Sequence, residues 1–156
     1  MHGATAPAAP AVRTQPQRLQ RLYQHWDDRR RGREFPARAD FTPHDLQYII
    51  GNLSLVDVGY QPLSFRFRIF ASNVATRLGK EMTNKSVDAF PYPRQAELAR
   101  EHFAEVVERR VPAIRFRDPS FIKYDVPRNF EILALPLSAD GQIIDMLMVG
   151  YAWDKE

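Results

Sequence analysis

The stretch QIIDMLMVGYAW, Gln142 to Trp153, decides the fold. Within it Ile143, Leu147, Val149, Tyr151 and Trp153 alternate with Ile144, Met146, Met148 and Ala152. Successive strand residues point to opposite faces, so both faces of this strand are apolar. Such a strand lies inside a sheet covered twice, by helices on one side and by another layer on the other. Asp140 and Gly141 just before it read as a turn, which makes the run Val126 to Ser138 its hairpin partner. Ala113 to Ile122 supplies a third strand.

Toward the N-terminus the period changes. From Arg94 to Arg110, Ala96, Ala99, Phe103, Val106 and Val107 fall on one helical stripe that Pro112 stops. Further upstream Asn52 to Gly59 reads as a strand, Gln61-Pro62 as a turn, and Ser64 to Ala71 as a second strand. In that second strand Phe65, Phe67 and Ile69 share one face, with Arg66 and Arg68 on the other. Ser72 reads as the N-cap of a short helix ending at Gly79, and Thr42-Pro43-His44-Asp45 as the start of another, closed by Gly51. Leu19, Leu22, Tyr23 and Trp26 fall at i, i+3, i+4 and i+7, a helix running from about Gln17 to near Gly32. This stripe is the available cover for the second sheet face, from the same chain or from a second copy. The expected organisation is an Ala- and Pro-rich disordered tail over 1–16, a helix and linker over 17–40, and an α+β domain over 41–156.

Composition narrows the function. The chain has no Cys, which excludes a disulfide framework, a thiolate metal site and a cysteine nucleophile. No window reaches 18 consecutive apolar residues and no signal-peptide pattern is present, so a cytoplasmic location without membrane insertion is expected. The net charge of +3 is concentrated between Arg13 and Arg38, where eight Arg face only Asp27, Asp28 and Glu34. The rest of the chain is therefore close to neutral, and the basic run sits at a helix C-terminus, where cations interact favourably with the backbone dipole. This disfavours nucleic acid as a partner. His2, His25, His44 and His102 have no metal-ligand spacing, and no phosphate loop, Gly-x-Ser-x-Gly or His-Glu-x-x-His motif occurs. No enzyme is expected.

An ordered set of local motifs adds a family reading. Trp26 is followed by Arg30-Arg31-Gly32-Arg33, Phe35-Pro36, Arg38, Asp40 and Pro43. Phe67-Arg68-Ile69 precedes the first inner helix and Gly79-Lys80-Glu81-Met82-Thr83 follows it. Phe130-Glu131 leads through Leu133-Ala134-Leu135-Pro136-Leu137-Ser138 to Asp140-Gly141. From about Leu19 to Trp153 the chain resembles single-domain PAS-like proteins widespread in alphaproteobacteria, a family with few characterised members. The resemblance implies a PAS-like five-stranded antiparallel sheet in the order 2-1-5-4-3, with helices on one face and an N-terminal amphipathic helix. It implies sensing and regulation and names no signal. The chain departs from the family at Asn84, where Gly is usual after the Thr, and at Ala71-Ser72, where Gly-Thr is usual.

The resemblance also frames the candidate sites. PAS photocycles built on flavin or a coumaroyl group depend on a cysteine and are excluded. Haem would take an axial His from the long helix, where only His102 is available, at the edge of the apolar stripe; a solvated boundary role fits it better, haem is disfavoured, and the cofactor stays unknown. A small ligand would lie between the inner sheet face and the long helix, lined by Phe67, Ile69, Phe103, Val107, Phe116, Met146 and Met148. Leu19, Leu22, Tyr23 and Trp26 are the candidate interface. The expected function is a non-enzymatic regulatory module, acting through homodimerisation or an unknown signalling partner. The alternative is a small α+β enzyme or carrier with a pocket around Glu131, Asp145 or His102. Asp57, Glu131 and Asp145 sit among apolar neighbours and are expected to pair with arginines such as Arg68, Arg115 or Arg117, or to lie at the sheet rim.

Overall fold

A computed structural model describes residues 16–118 and 129–153. The expected tail up to residue 15, and the stretches 119–122 and 126–128 of two predicted strands, lie outside the described residues. In chain order the elements are α1 (Gln17–Arg30), β1 (Leu53–Gly59), β2 (Ser64–Ile69), α2 (Ser72–Leu78), α3 (Pro93–Arg109), β3 (Ala113–Arg117), β4 (Phe130–Leu137) and β5 (Met146–Trp153), with short 3-10 turns between them. All four strand pairings are antiparallel, in the order β2-β1-β5-β4-β3. This is the expected PAS-like sheet. β5 lies at its centre and is buried along its whole length.

Local chemistry accounts for the ends of these elements. Arg31 (φ 52) and Gly32 (φ 83) turn left-handed and stop α1. Arg110 (φ 60) stops α3 the same way, and its guanidinium is held by Glu34 at 2.7 Å. Asn84 adopts φ 68, which an Asn side chain tolerates and most residues resist. Thr42 and Asp45 cap each other, each accepting the other's backbone N–H at 3.1 Å. The helix they were expected to begin is instead a turn followed by a 3-10 helix, Gln47–Asn52. Ser72 is the first residue of α2 and Ala71 occupies the cap position, without a side-chain bond.

The two sheet faces are covered by different helices. Leu147 pairs with Val56, whose partner Phe67 lies on the face roofed by α3, where Phe65 and Phe103 meet edge to face at 5.6 Å. On the other face a Cβ placed on Gly150 would stand 2.6 Å from Leu22 Cδ2 and 3.0 Å from Leu19 Cδ2. Gly150 is thus the gap into which α1 presses its stripe. Trp26 completes the seal by donating its Nε1–H to the Pro136 carbonyl at 2.8 Å. β3 reaches along β4 only to Ala134, and Pro136 costs no ladder bond beyond that point. Leu19, Leu22 and Trp26 are fully buried within the chain, each contributing roughly 1.5–3 kcal/mol by burial.

This arrangement exchanges the expected faces of β5. Met146 and Met148 share parity with Gly150 and belong to the α1 side, while Tyr151 faces α3. Two further expectations change for related reasons. Leu55 pairs with Ile69 but the next residue, Val56, pairs with Phe67, so Arg68 is an extra residue in a β-bulge. The bulge reverses parity and turns Ile69 away from Phe67, leaving it 48% exposed. In β3 the arginines Arg115 and Arg117 take the α3 side, and Phe116 points outward, 65% exposed.

Candidate functional site

A half-closed cavity of about 50 Å³ lies between the sheet and α3. That exceeds the ~10–15 Å³ a single water needs and leaves room for several waters or a small organic molecule. One wall is aromatic. Phe67 packs edge to face on Phe70 (4.8 Å), Phe90 (5.6 Å) and Phe103 (6.4 Å). The sheet wall is Phe130 and Ile132 of β4 with Tyr151 of β5, and α3 contributes Gln95, Leu98, Ala99 and His102. Arg117 closes the rim at the end of β3.

The polar groups in this apolar setting are few. Tyr151 hydrogen-bonds the Ser54 hydroxyl, which also accepts the Ala71 N–H at 2.9 Å; burial raises the Tyr151 phenol well above its ordinary range. His102 is buried, and its Nε2 lies 2.9 Å from the Ala113 carbonyl. A carbonyl only accepts, so Nε2 carries the proton. Burial is the main cause that drives the His102 pKa down to about 3, with Arg115 and Arg117 adding to it and the Ala113 bond opposing, so the ring is neutral at physiological pH. The Gln95 Oε1 is buried without a hydrogen-bond partner. Arg117 donates to the Leu98 carbonyl at 3.3 Å, and burial followed by Arg115 lowers its pKa.

The structure therefore redistributes the sequence-based pocket. It brings Phe67 and Phe103 together in the cavity wall. Val107 is half-buried beside the core but outside the wall, and Ile69, Phe116, Met146 and Met148 lie on the other sheet face or its edge. Sequence reasoning missed Tyr151, Gln95 and Arg117. The signal for Tyr151 was Gly150: a residue without a side chain in a strand marks the face where another element comes close, and so assigns its neighbour to the opposite face. His102 is also corrected, from a solvated boundary residue to a buried one. Its hydrogen bond to Ala113 engages Nε2, so the ring does not offer this nitrogen to a haem iron in the cavity.

The remaining candidates separate in space. Glu131 follows Phe130 and precedes Ile132, both in the cavity wall, so it lies on the opposite sheet face from His102. Glu131 pairs with Ala152, whereas Asp145 precedes Met146 opposite Leu137, so six strand residues separate the two carboxylates, roughly 20 Å. Asp145 accepts the Ala139 N–H at 2.7 Å in the hairpin loop. These three residues do not share one site, and of them only His102 lines the cavity. Asp57 pairs with Arg68 at 3.1 Å as anticipated, while Arg115 is taken by Glu105.

The interface candidates have moved too. Leu19, Leu22 and Trp26 are spent on the chain's own sheet, and Tyr23 is half-buried against the core. The basic run beside them is largely tied up locally, with Arg30 on Asp27, Arg33 on Asp40 at 2.7 Å, and Arg29 near Asp45 at 3.5 Å. Among the described residues no helix is long and apolar enough to cross a membrane, and no cluster of three or more His, Asp or Glu could hold a metal ion.

Comparison with known proteins agrees with this architecture. The PAS domain from Bordetella pertussis BvgS superposes with a TM-score of 0.51 at 15% identity, over 68% of this chain and 79% of that one. A domain of an HTR-like protein from Haloarcula marismortui gives 0.47 at 12% identity, over 66% of this chain and 98% of that one. No curated protein matches. A family model described as a PAS domain matches residues 14–150, which takes in α1, β1 to β4 and most of β5, and the chain belongs to the PAS domain family.

Proposed function

We propose that this chain is a non-enzymatic sensory module that binds a small molecule in the cavity under α3 and reports its occupancy by binding another protein. Family membership supports sensing and regulation. The observation that carries the ligand reading is the cavity itself, an aromatic chamber holding a small number of oriented polar groups, the usual make-up of a small-molecule site.

The output has a physical route. Tyr151 lines the cavity, and Gly150, the next residue along the same strand, lies directly under Leu22 of α1. Displacing the Tyr151 ring by a ligand would move the backbone on which α1 rests, because close-packed interiors transmit strain. A partner, either a second copy of the chain or a cytoplasmic signalling protein, would read the outer surface of α1. Native mass spectrometry of the protein purified from its own host tests this. The expected result is a retained small molecule, with a change in assembly when it is removed. A bare monomer, unchanged by any extract of the host's small molecules, would count against it.

A further inference from the structure

Within that reading, the cavity carries a chemical preference. One arginine, Arg117, lines it, and Arg94 and Arg115 are its electrostatic neighbours. Arg94 is engaged by Glu97 and Arg115 by Glu105, but among the described residues no ion pair includes Arg117. Among the described residues its guanidinium makes one hydrogen bond, the long contact to the Leu98 carbonyl at 3.3 Å. Glu101 on α3 attracts Arg117 from beyond ion-pair distance, against the repulsion of Arg115 and Arg94. A half-buried guanidinium offers five donors in a fixed fork, and leaving them without an anion in direct contact in an apolar setting is costly. Among the described residues the Gln95 Oε1 in the same wall has no hydrogen-bond partner, and this amide can present either a donor or an acceptor. Among the described residues no carboxylate lines the cavity, and His102 is neutral and engaged with Ala113.

We propose that the cavity binds a small organic anion, a short-chain carboxylate whose head pairs with Arg117 and hydrogen-bonds Gln95 while its apolar tail lies among Phe67, Phe90 and Phe103. A guanidinium fork matches a carboxylate in plane and can bind it through two bonds. A volume of about 50 Å³ selects short chains over bulky ones. The proposal rests on the cavity being a ligand site, and the test separates the two claims.

The experiment titrates the full chain, by two-dimensional amide NMR at constant ionic strength, with the carboxylates from acetate to hexanoate and with the matching neutral amides. The expected result is saturable shifts at Ala99, Ile132 and Tyr151 for a short carboxylate, at least about tenfold tighter than for its amide, as charge-assisted hydrogen bonds require. Arg117→Gln should abolish the preference and Arg117→Lys should retain part of it. Amides binding as tightly as acids would overturn the anion assignment and leave the cavity reading standing. No saturable shift from either series would overturn both. A preference for acids that survives in Arg117→Gln would remove Arg117 from the site. If that variant does not fold, the comparison of acid with amide on the unaltered chain still decides the ligand class.

Discussion

His102 shows how one buried side chain sets the chain's response to acid. In the unfolded chain its imidazole takes up a proton as pH falls through about 6.5, whereas in the folded chain it remains neutral down to about 3. The unfolded state therefore binds more protons over that window. Stability is full above about pH 6.5 and falls by up to about 1.4 kcal/mol per pH unit toward pH 3. Urea unfolding at pH 7.5, 6.0 and 5.0 should show this loss. His102→Gln keeps a donor for the Ala113 carbonyl without a titrating ring, and its curve should lose most of that slope. An equal slope in both proteins would place the sensitivity elsewhere. Trp26 offers a second residue-level test, because Trp26→Phe keeps the ring but removes the bond to Pro136. The carbonyl left behind should cost about 1–3 kcal/mol in the same assay.

At the scale of elements, the contact between α1 and β5 turns on Gly150. An alanine there meets Leu22 at 2.6 Å, so Gly150→Ala should destabilise the fold by about 1–3 kcal/mol through overpacking. Leu22→Ala alone should cost about 2–5 kcal/mol. Because the two residues touch, the effects should not add, and Gly150→Ala should cost distinctly less when Leu22 is already alanine. Fully additive values from a double-mutant cycle would mean that α1 does not sit on this strand. The same contact explains what the sequence could and could not reveal. Strict alternation in Gln142 to Trp153 made a doubly covered central strand legible, and the Leu19 to Trp26 stripe revealed its lid. Alternation does not say which face takes which helix. That choice lay in the gap at Gly150, and the Met146 and Met148 assignment went the wrong way without it. Ile69 failed for a different reason: Phe65, Phe67 and Ile69 keep perfect alternation in sequence, and only the pairing with β1 reveals the bulge at Arg68. Phe116 misled because hydrophobicity was taken to mark the inner face, whereas Arg115 and Arg117 point inward, one toward Glu105 and the other into the cavity rim.

For the molecule as a whole, α1 is part of the fold and not an appendage that a boundary near residue 40 would imply. It buries Leu19, Leu22 and Trp26 against the sheet, and Glu34 in the following linker holds Arg110 at the end of α3. Removing residues 1–32 should expose the Met148 and Leu135 face and yield a chain that aggregates or loses its cooperative thermal transition, followed by circular dichroism. An unchanged melting temperature after the deletion would contradict this. The central claim is that one chain roofs both sides of its own sheet, α1 over Gly150 and α3 over Tyr151. Isotope-filtered nuclear Overhauser spectroscopy on a mixture of labelled and unlabelled chains tests it most directly. The account predicts a strong contact between the Leu22 methyls and the Gly150 α-protons within a single chain, together with contacts from Met148 to α1 and none from Met148 to Phe103. A Leu22 to Gly150 contact seen only between different chains, or Met148 found against Phe103, would contradict it.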